Sequence, residues 1–297
     1  MDQPIERINL IYRLAPRRHD SHKGDFGRVL IVGGSRGMVG AVALASNAAL
    51  RGGAGLVTFA APETVQLHAA VLCPCATSIP LACQTDGELA ERSVQQVLQA
   101  VGACDVLAVG PGLGVGPGQQ RLLGALLGQD KPLVVDADGL NNLAAIADWP
   151  SRVRCPLILT PHPGEFARLG GRNVQDIQAD RQGAVLASVG QWRQGTGDRH
   201  PLVVALKGAA TVVTDGRLIY INTTGNPGMA TGGSGDVLTG LVAAMLGQGL
   251  APFEATCLGV HCHGRSGDLA AEKLGHVSLI ATDLLEYLPA ATREIVG

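Results

Sequence analysis

Strand-length apolar runs, without polar alternation, recur between segments of helical period along this 297-residue chain, and this alternation restricts the fold more than any single motif. The runs fall at residues 28–32, 55–60, 105–109, 132–135, 157–159 and 202–206. A strand with no polar face must be covered on both sides, which calls for helices above and below a mostly parallel sheet. Helical periodicity supplies them at residues 41–51, 88–101, 118–127, 139–147 and 174–194. After residue 206 the pattern changes to a hairpin, 211–214 and 217–222, turned at Asp215-Gly216. Helices follow at 234–246, 252–274 and 278–288. The chain is 46% hydrophobic but only 3% aromatic and holds 41 glycines, so its core is expected to be Ala, Val and Leu joined by tight turns. The reading is one α/β domain over residues 1–297, with residues 1–24 as a polar N-terminal arm and no repeat or linker.

Several function classes fall away. A net charge of −2 and a pI near 6.4 leave no electrostatic footprint for nucleic acid or an anionic membrane surface. Small molecules are the expected partners. The best apolar run, 38–50, ends at Arg51 and is shorter than the roughly 18 residues a membrane span needs. Asp2, Glu6, Arg13, Arg17 and Arg18 interrupt the first twenty residues, so no secretory signal is visible and a cytoplasmic location is expected. Cys73, Cys75 and Cys83 lack zinc-type CxxC spacing, and the seven cysteines read as reduced thiols.

In open α/β sheets, ligands bind beyond the carboxyl ends of the strands. Five runs end in unusual residues: Gly33-Gly34-Ser35, GPGLG (110–114), DADGLN (136–141), TPHPGE (160–165) and KGAAT (207–211). Glycines, carboxylates, a histidine and a lysine on one rim indicate an enzyme. A sixth segment, GNPGMATGGSGD (225–236), has five glycines in twelve positions and runs into an apolar helix. Its backbone can approach an anion closely, with unpaired helix N–H groups turned toward it. Asp236 stands at that helix mouth. A carboxylate there either caps the helix or takes the proton from a hydroxyl attacking a phosphoryl group.

Together with KGDFGRVLIVGGS (23–35), GAVALASNAALRGGAGLV (40–57), VVDADGLN and LTPHPGEFARL, these blocks resemble the ADP- or ATP-dependent NAD(P)H-hydrate dehydratases of the ribokinase-like superfamily. The similarity covers most of the chain, and TPHPGE with NPGMATGGSGD separates this branch from sugar kinases. The resemblance implies repair of hydrated NADH or NADPH: the ring hydroxyl is phosphorylated from ADP or ATP in the presence of Mg²⁺, and phosphate is then eliminated. It further implies a homotetramer, and an NAD(P)HX epimerase on a separate chain, since no room is left here for the family's additional N-terminal domain.

Carried over residue by residue, the resemblance makes Asp236 the catalytic base, held ionised by the helix N-terminus at some cost in basicity. Gly233, Ser234 and Gly235 supply backbone donors to the phosphoryl group. Lys207, Gly208, Ala209, Ala210 and Thr211 form the nucleotide segment. Ala41, Gly112 and His162 hold the hydrated dinucleotide alongside Asp236. Glu165 and Asp136 are the first choices for Mg²⁺, with Asp138 and Asn141 either joining them or serving as a cap and a backbone partner.

His261-Cys262-His263 is rejected as a metal site, because residues two apart on a helix face different ways. Gly33, Gly34, Gly37 and Gly40 do not form GxGxxG, which disfavours a hydride-transferring dehydrogenase. The alternatives are a ribokinase-like kinase of a vitamin-type alcohol and a non-catalytic nucleotide sensor.

Overall fold

The computed structural model describes residues 5–9, 12–84, 87–197 and 199–297. Its ten strands are β1 (Glu6–Ile8), β2 (Arg28–Val32), β3 (Leu56–Pro62), β4 (Thr77–Leu81), β5 (Val106–Val109), β6 (Leu133–Val135), β7 (Leu157–Leu159), β8 (Leu202–Leu206), β9 (Val212–Thr214) and β10 (Leu218–Ile221). They form one sheet in the order β1-β10-β9-β8-β7-β6-β5-β2-β3-β4. From β4 to β8 all neighbours are parallel, and only β9 runs against both of its partners. The expected mostly parallel sheet is therefore present, and the antiparallel hairpin is β9–β10.

Helices cover both faces. Against one lie α1 (Val39–Arg51), α2 (Glu63–Leu72), α10 (Ser234–Gly247), α11 (Pro252–Leu274) and α12 (Ala281–Arg293). Against the other lie α3 (Glu91–Val101), α4 (Pro117–Leu127), α5 (Asp138–Ala144), α6 (Trp149–Arg152), α7 (Pro163–Gly170), α8 (Val174–Ala179) and α9 (Arg181–Thr196). The strands feed the two layers alternately: Val29 and Ile31 enter the first core, Leu30 and Val32 the second. This two-sided burial is why the strands read as unbroken apolar runs.

Some elements depart from the sequence reading. Part of the expected N-terminal arm lies outside the described residues, but Glu6–Ile8 joins the sheet edge beside β10 as β1. The helix expected over 174–194 is interrupted at Asp180, whose side chain accepts from Gly183 N–H and starts α9. Strand β4 contains Pro80, which is compatible with its place at the sheet edge. Helix α10 is buried along nearly its whole length between the sheet, α1 and α11. A Cβ on Gly240 would stand 1.9 Å from Ala45 O of α1, so glycine allows that close crossing.

The chain runs from β2 outward through β3 to β4 and then returns to β5 on the other side of β2. The reversal opens a crevice between the carboxyl ends of β2 and β5, the usual ligand position in such sheets. No helix among the described residues is long and apolar enough to cross a membrane, and all seven cysteines are free.

Candidate active site

The carboxyl ends of β6, β7 and β8 meet the first turn of α10. Asp136, directly after β6, is 1% exposed, and its Oδ1 accepts from Lys207 Nζ at 2.5 Å. Its Oδ2 accepts from the Thr239 hydroxyl of α10 at 2.7 Å. Lys207, directly after β8, also stands 3.8 Å from Glu165 Oε2 in the first turn of α7. One ammonium thus sits between two buried carboxylates. Burial opposes its charge, but Asp136 and Glu165 outweigh that and hold the Lys207 pKa above the ordinary lysine value. Glu165 goes up, because burial and Asp136 together exceed the pull of Lys207.

Asp236 is the third residue of α10, and no side-chain cap bond forms at this helix start, where Gly233 adopts φ 89°. The cap reading therefore does not describe Asp236. The expectation that the helix N-terminus keeps it readily ionised is also overturned. Burial, reinforced by Asp136 and only partly offset by Lys207, pushes its pKa up to about 7. Asp138 and Glu165 add to the rise. Proximity ties α10 to this group: a Cβ on Gly235 would lie 3.3 Å from Lys207 Nζ and 3.6 Å from Asp136 Oδ2.

His162 is the N-cap of α7. Its Nδ1 accepts from Gly164 N–H at 3.0 Å and Glu165 N–H at 3.4 Å, while Glu165 Oε2 accepts from His162 N–H at 2.8 Å. An accepting Nδ1 leaves the proton on Nε2, which lies 3.4 Å from Glu165 Oε1. Burial and the nearby Lys207 lower the pKa of the ring, consistent with that neutral form. Phe166 packs edge-to-face on Trp192 with ring centres 5.7 Å apart, anchoring the turn that carries Glu165.

On the crevice side, Ala41 of α1 and Gly112 of the GPGLG turn come together. Gly112 has φ 60°, and a Cβ there would sit 2.9 Å from that of Ala41. Asp138 and Asn142 of α5 hold this turn: Gly114 N–H donates to Asp138 Oδ2 at 2.9 Å, and Asn142 Nδ2 donates to Gly114 O at 2.9 Å. Asn141 Oδ1 accepts from Arg168 Nη1 at 2.6 Å. Asp138 and Asn141 are thus engaged with protein partners. Between Asp136 and Asp138, Ala137 adopts φ 47° and ψ −122°, a conformation normally left to glycine.

The nucleotide segment projects from β8. Gly208, Ala209 and Ala210 are exposed, Ala210 at φ 51°, whereas Thr211 is buried with its hydroxyl donating to Gly208 O at 2.9 Å. Arg181 Nη2 braces the turn from α9 by donating to Leu206 O and Lys207 O at 2.8 and 3.1 Å. The side chains brought together are therefore Asp136, Glu165, His162 and Lys207, with Gly235 and Asp236 of α10. Sequence reasoning missed Thr239 and Arg181. The signal for Thr239 was its place three residues after Asp236, on the same helix face.

Comparison with known proteins identifies the family. The NAD(P)H-hydrate dehydratase family model matches residues 29–290. The ADP-dependent (S)-NAD(P)H-hydrate dehydratase of Neisseria meningitidis is 42% identical over 282 residues, covering 93% of this chain and 87% of that protein. The chain also spans about half the length of the curated bifunctional NAD(P)H-hydrate repair enzymes it matches. Among solved structures, a ribokinase-like superfamily protein of Enterococcus faecalis superposes with a TM-score of 0.81 at 25% identity, covering 96% of this chain and 93% of that one. The ADP/ATP-dependent NAD(P)H-hydrate dehydratase of Bacillus subtilis, co-crystallized with ATP/Mg²⁺, gives 0.78 at 30% identity, covering 97% of this chain and 99% of that one. With a ribokinase-like sheet, a family match across most of its length and a relative of similar size, the chain belongs to the NAD(P)H-hydrate dehydratase family.

Proposed function

We propose that this protein converts the S-epimer of hydrated NADH and NADPH back to NADH and NADPH, using ADP, with ATP as the other possible donor, and releasing AMP (or ADP) and phosphate. The observation that carries the reading is the convergence of Lys207, Asp136 and Glu165 on the first turn of α10, where Asp236 stands among glycine amides. Asp236 takes the proton of the ring hydroxyl as its oxygen bonds to the terminal phosphorus of the donor, and the bridging P–O bond breaks to release AMP. The amides of Gly233, Ser234 and Gly235 receive the charge gathering on the transferred group. The ring nitrogen's electron pair then expels phosphate from the neighbouring carbon, and the next ring carbon loses a proton to restore the double bond.

The nucleotide segment Lys207–Gly208–Ala209–Ala210–Thr211 would hold the donor, and Ala41, Gly112 and His162 the dinucleotide. Asp236 feels Asp136, Asp138 and Glu165 against Lys207, so a polyphosphate arriving here needs further positive charge. Oxygen-only carboxylates suit a hard cation. Asp136 and Glu165, which Lys207 already engages, are the residues that would hold Mg²⁺ beside the donor phosphates. The ion would supply charge screening of the phosphates.

The reading extends to a cytoplasmic setting, to an NAD(P)HX epimerase as functional partner, and to a homotetramer. Leu67, Val71 and Leu72 are exposed along α2, which supports packing between subunits.

Incubation with hydrated NADH, Mg²⁺ and either ADP or ATP tests the reaction. Inorganic phosphate and reduced-nicotinamide absorbance are expected to appear together. Accumulation of a stable phosphorylated hydrate would instead identify a kinase that retains the phosphoester, and turnover of a vitamin-type alcohol in place of the hydrate would identify the rival kinase; either would overturn the proposal.

A further inference from the structure

The His261-Cys262-His263 run of α11 finds a use other than metal binding. Helix α11 grips the glycine segment before α10 along one face. A Cβ on Gly264 would lie 2.2 Å from Thr224 Oγ1, and one on Gly267 would lie 2.3 Å from Met229 Sδ. Asp268 accepts from Gly225 N–H at 2.9 Å and from Asn226 Nδ2 at 3.0 Å. The same face places His263 Nε2 2.9 Å from Ser234 O and 3.2 Å from Ser234 Oγ.

A carbonyl oxygen only accepts hydrogen bonds, so at 2.9 Å the ring nitrogen must be the donor. The Ser234 carbonyl and the Gly235 N–H belong to one planar trans peptide and point in opposite directions. A donor that fixes the carbonyl therefore fixes the amide on the other side. We propose that His263 is a positioning residue: as the neutral Nε2–H tautomer it donates to the Ser234 carbonyl and holds the Ser234–Gly235 peptide with its N–H turned toward the transferred phosphoryl group. Burial keeps the ring uncharged, pushing its pKa down to about 4 although the Ser234 bond opposes the fall. His261 takes no part in this contact, and its Nδ1 is buried without a hydrogen-bond partner.

The catalytic consequence rests on the phosphoryl-transfer reading above, whereas the tautomer does not, so the two fail separately. Nitrogen-15 histidine NMR of the wild-type protein is expected to show His263 Nε2 protonated and Nδ1 bare at neutral pH. A bare Nε2 overturns the proposal whether or not the protein is active. His263→Leu removes the donor, and His263→Gln keeps an N–H at a similar reach. Loss of an oxyanion-hole donor costs on the order of 100-fold or more, and its misorientation part of that. The leucine variant should therefore lose roughly 10- to 30-fold in kcat, with the ADP Kd within about threefold of wild type. The glutamine variant should recover to within about threefold of the wild-type rate. An unchanged kcat in His263→Leu, or a glutamine variant as slow as the leucine one, sinks the idea. Should the leucine variant fail to fold, the glutamine rate and the wild-type spectrum still decide.

Discussion

The position of Asp236 shows two opposing effects and which of them wins. A helix N-terminus favours the carboxylate by about 1 kcal/mol at partly exposed sites, but burial beside Asp136 costs more and lifts the pKa to about 7. A base must be unprotonated to act, so kcat/KM is expected to rise with pH up to about 7 and level off above it. Asp236→Asn should lose at least about 100-fold in rate while still binding ADP, as measured by steady-state kinetics and calorimetry. The same shift has a stability consequence of opposite sign. Because the folded state retains this proton at pH values where the unfolded chain has lost it, the contribution is present below about pH 4 and is lost as pH rises through about 7. Urea unfolding at pH 8 should show Asp236→Asn more stable than wild type. At roughly 1.4 kcal/mol per pKa unit the ceiling is near 4 kcal/mol; water reaching the partly open site reduces the expectation to about 2. Near pH 4 the gain should vanish, and a gain independent of pH would contradict the assignment. Lys207 presents the reverse case. Lys207→Met strands Asp136 and Glu165, and an unfolding loss of about 3 kcal/mol is expected, recovered in part by adding Asp136→Asn.

The glycine-to-helix junction was the most legible element, because its residues carry local and global information at once. The run 237–246 lacks a polar face because α10 is enclosed by the sheet and by other helices, and Gly233 at φ 89° is the backbone break that lets the helix begin there. Strands β2, β7 and β8 were legible to the residue for the same reason of two-sided burial. Elements whose stability comes from their neighbours were not. Strand β4 lies at an edge with Pro80 in it, and α7 is eight residues beginning at a proline and held by the His162–Glu165 capping box. Helices α8 and α9 merge in periodicity, since only Asp180, at φ −143° and ψ 82°, divides them. The α1–α10 crossing gives a test at this scale. Gly240→Ala places a Cβ against Ala45 O, which is backbone and cannot swing aside, so the helices must separate. Overpacking of this kind costs about 1–3 kcal/mol. A lowered urea midpoint with an unchanged m-value is expected, and an unchanged midpoint would show that the crossing is looser than described.

Across the whole molecule, the sheet gathers side chains that are far apart in sequence. Asp136 and Lys207 are 71 residues apart, and Asp136 and Thr239 are 103 apart. Sequence could nominate these positions one by one, through strand ends and family motifs, but not show that Lys207 neutralises two of the nominated carboxylates. It could not reveal Thr239 or His263 either, since a buried hydroxyl and a helix histidine acquire their roles only from what packs opposite. The parallel rim and α10 are therefore joined by direct side-chain bonds, and if they bind the nucleotide together as proposed, ligand linkage should reveal it. ADP with Mg²⁺ at a hundredfold excess over its Kd should stabilise the protein by about 2.7 kcal/mol, because a ligand that binds only the folded state shifts unfolding by mass action. Hydrogen exchange should then slow at the Lys207–Thr211 turn and at the amides of residues 233–235, while β1 and β4 at the two sheet edges keep their rates. Protection confined to the sheet edges would place the nucleotide away from α10 and break the link between this fold and phosphoryl transfer. Asp236→Asn should give the same protection pattern as wild type, because in the proposed reaction the carboxylate acts on the substrate hydroxyl while the backbone amides and Lys207 meet the phosphates.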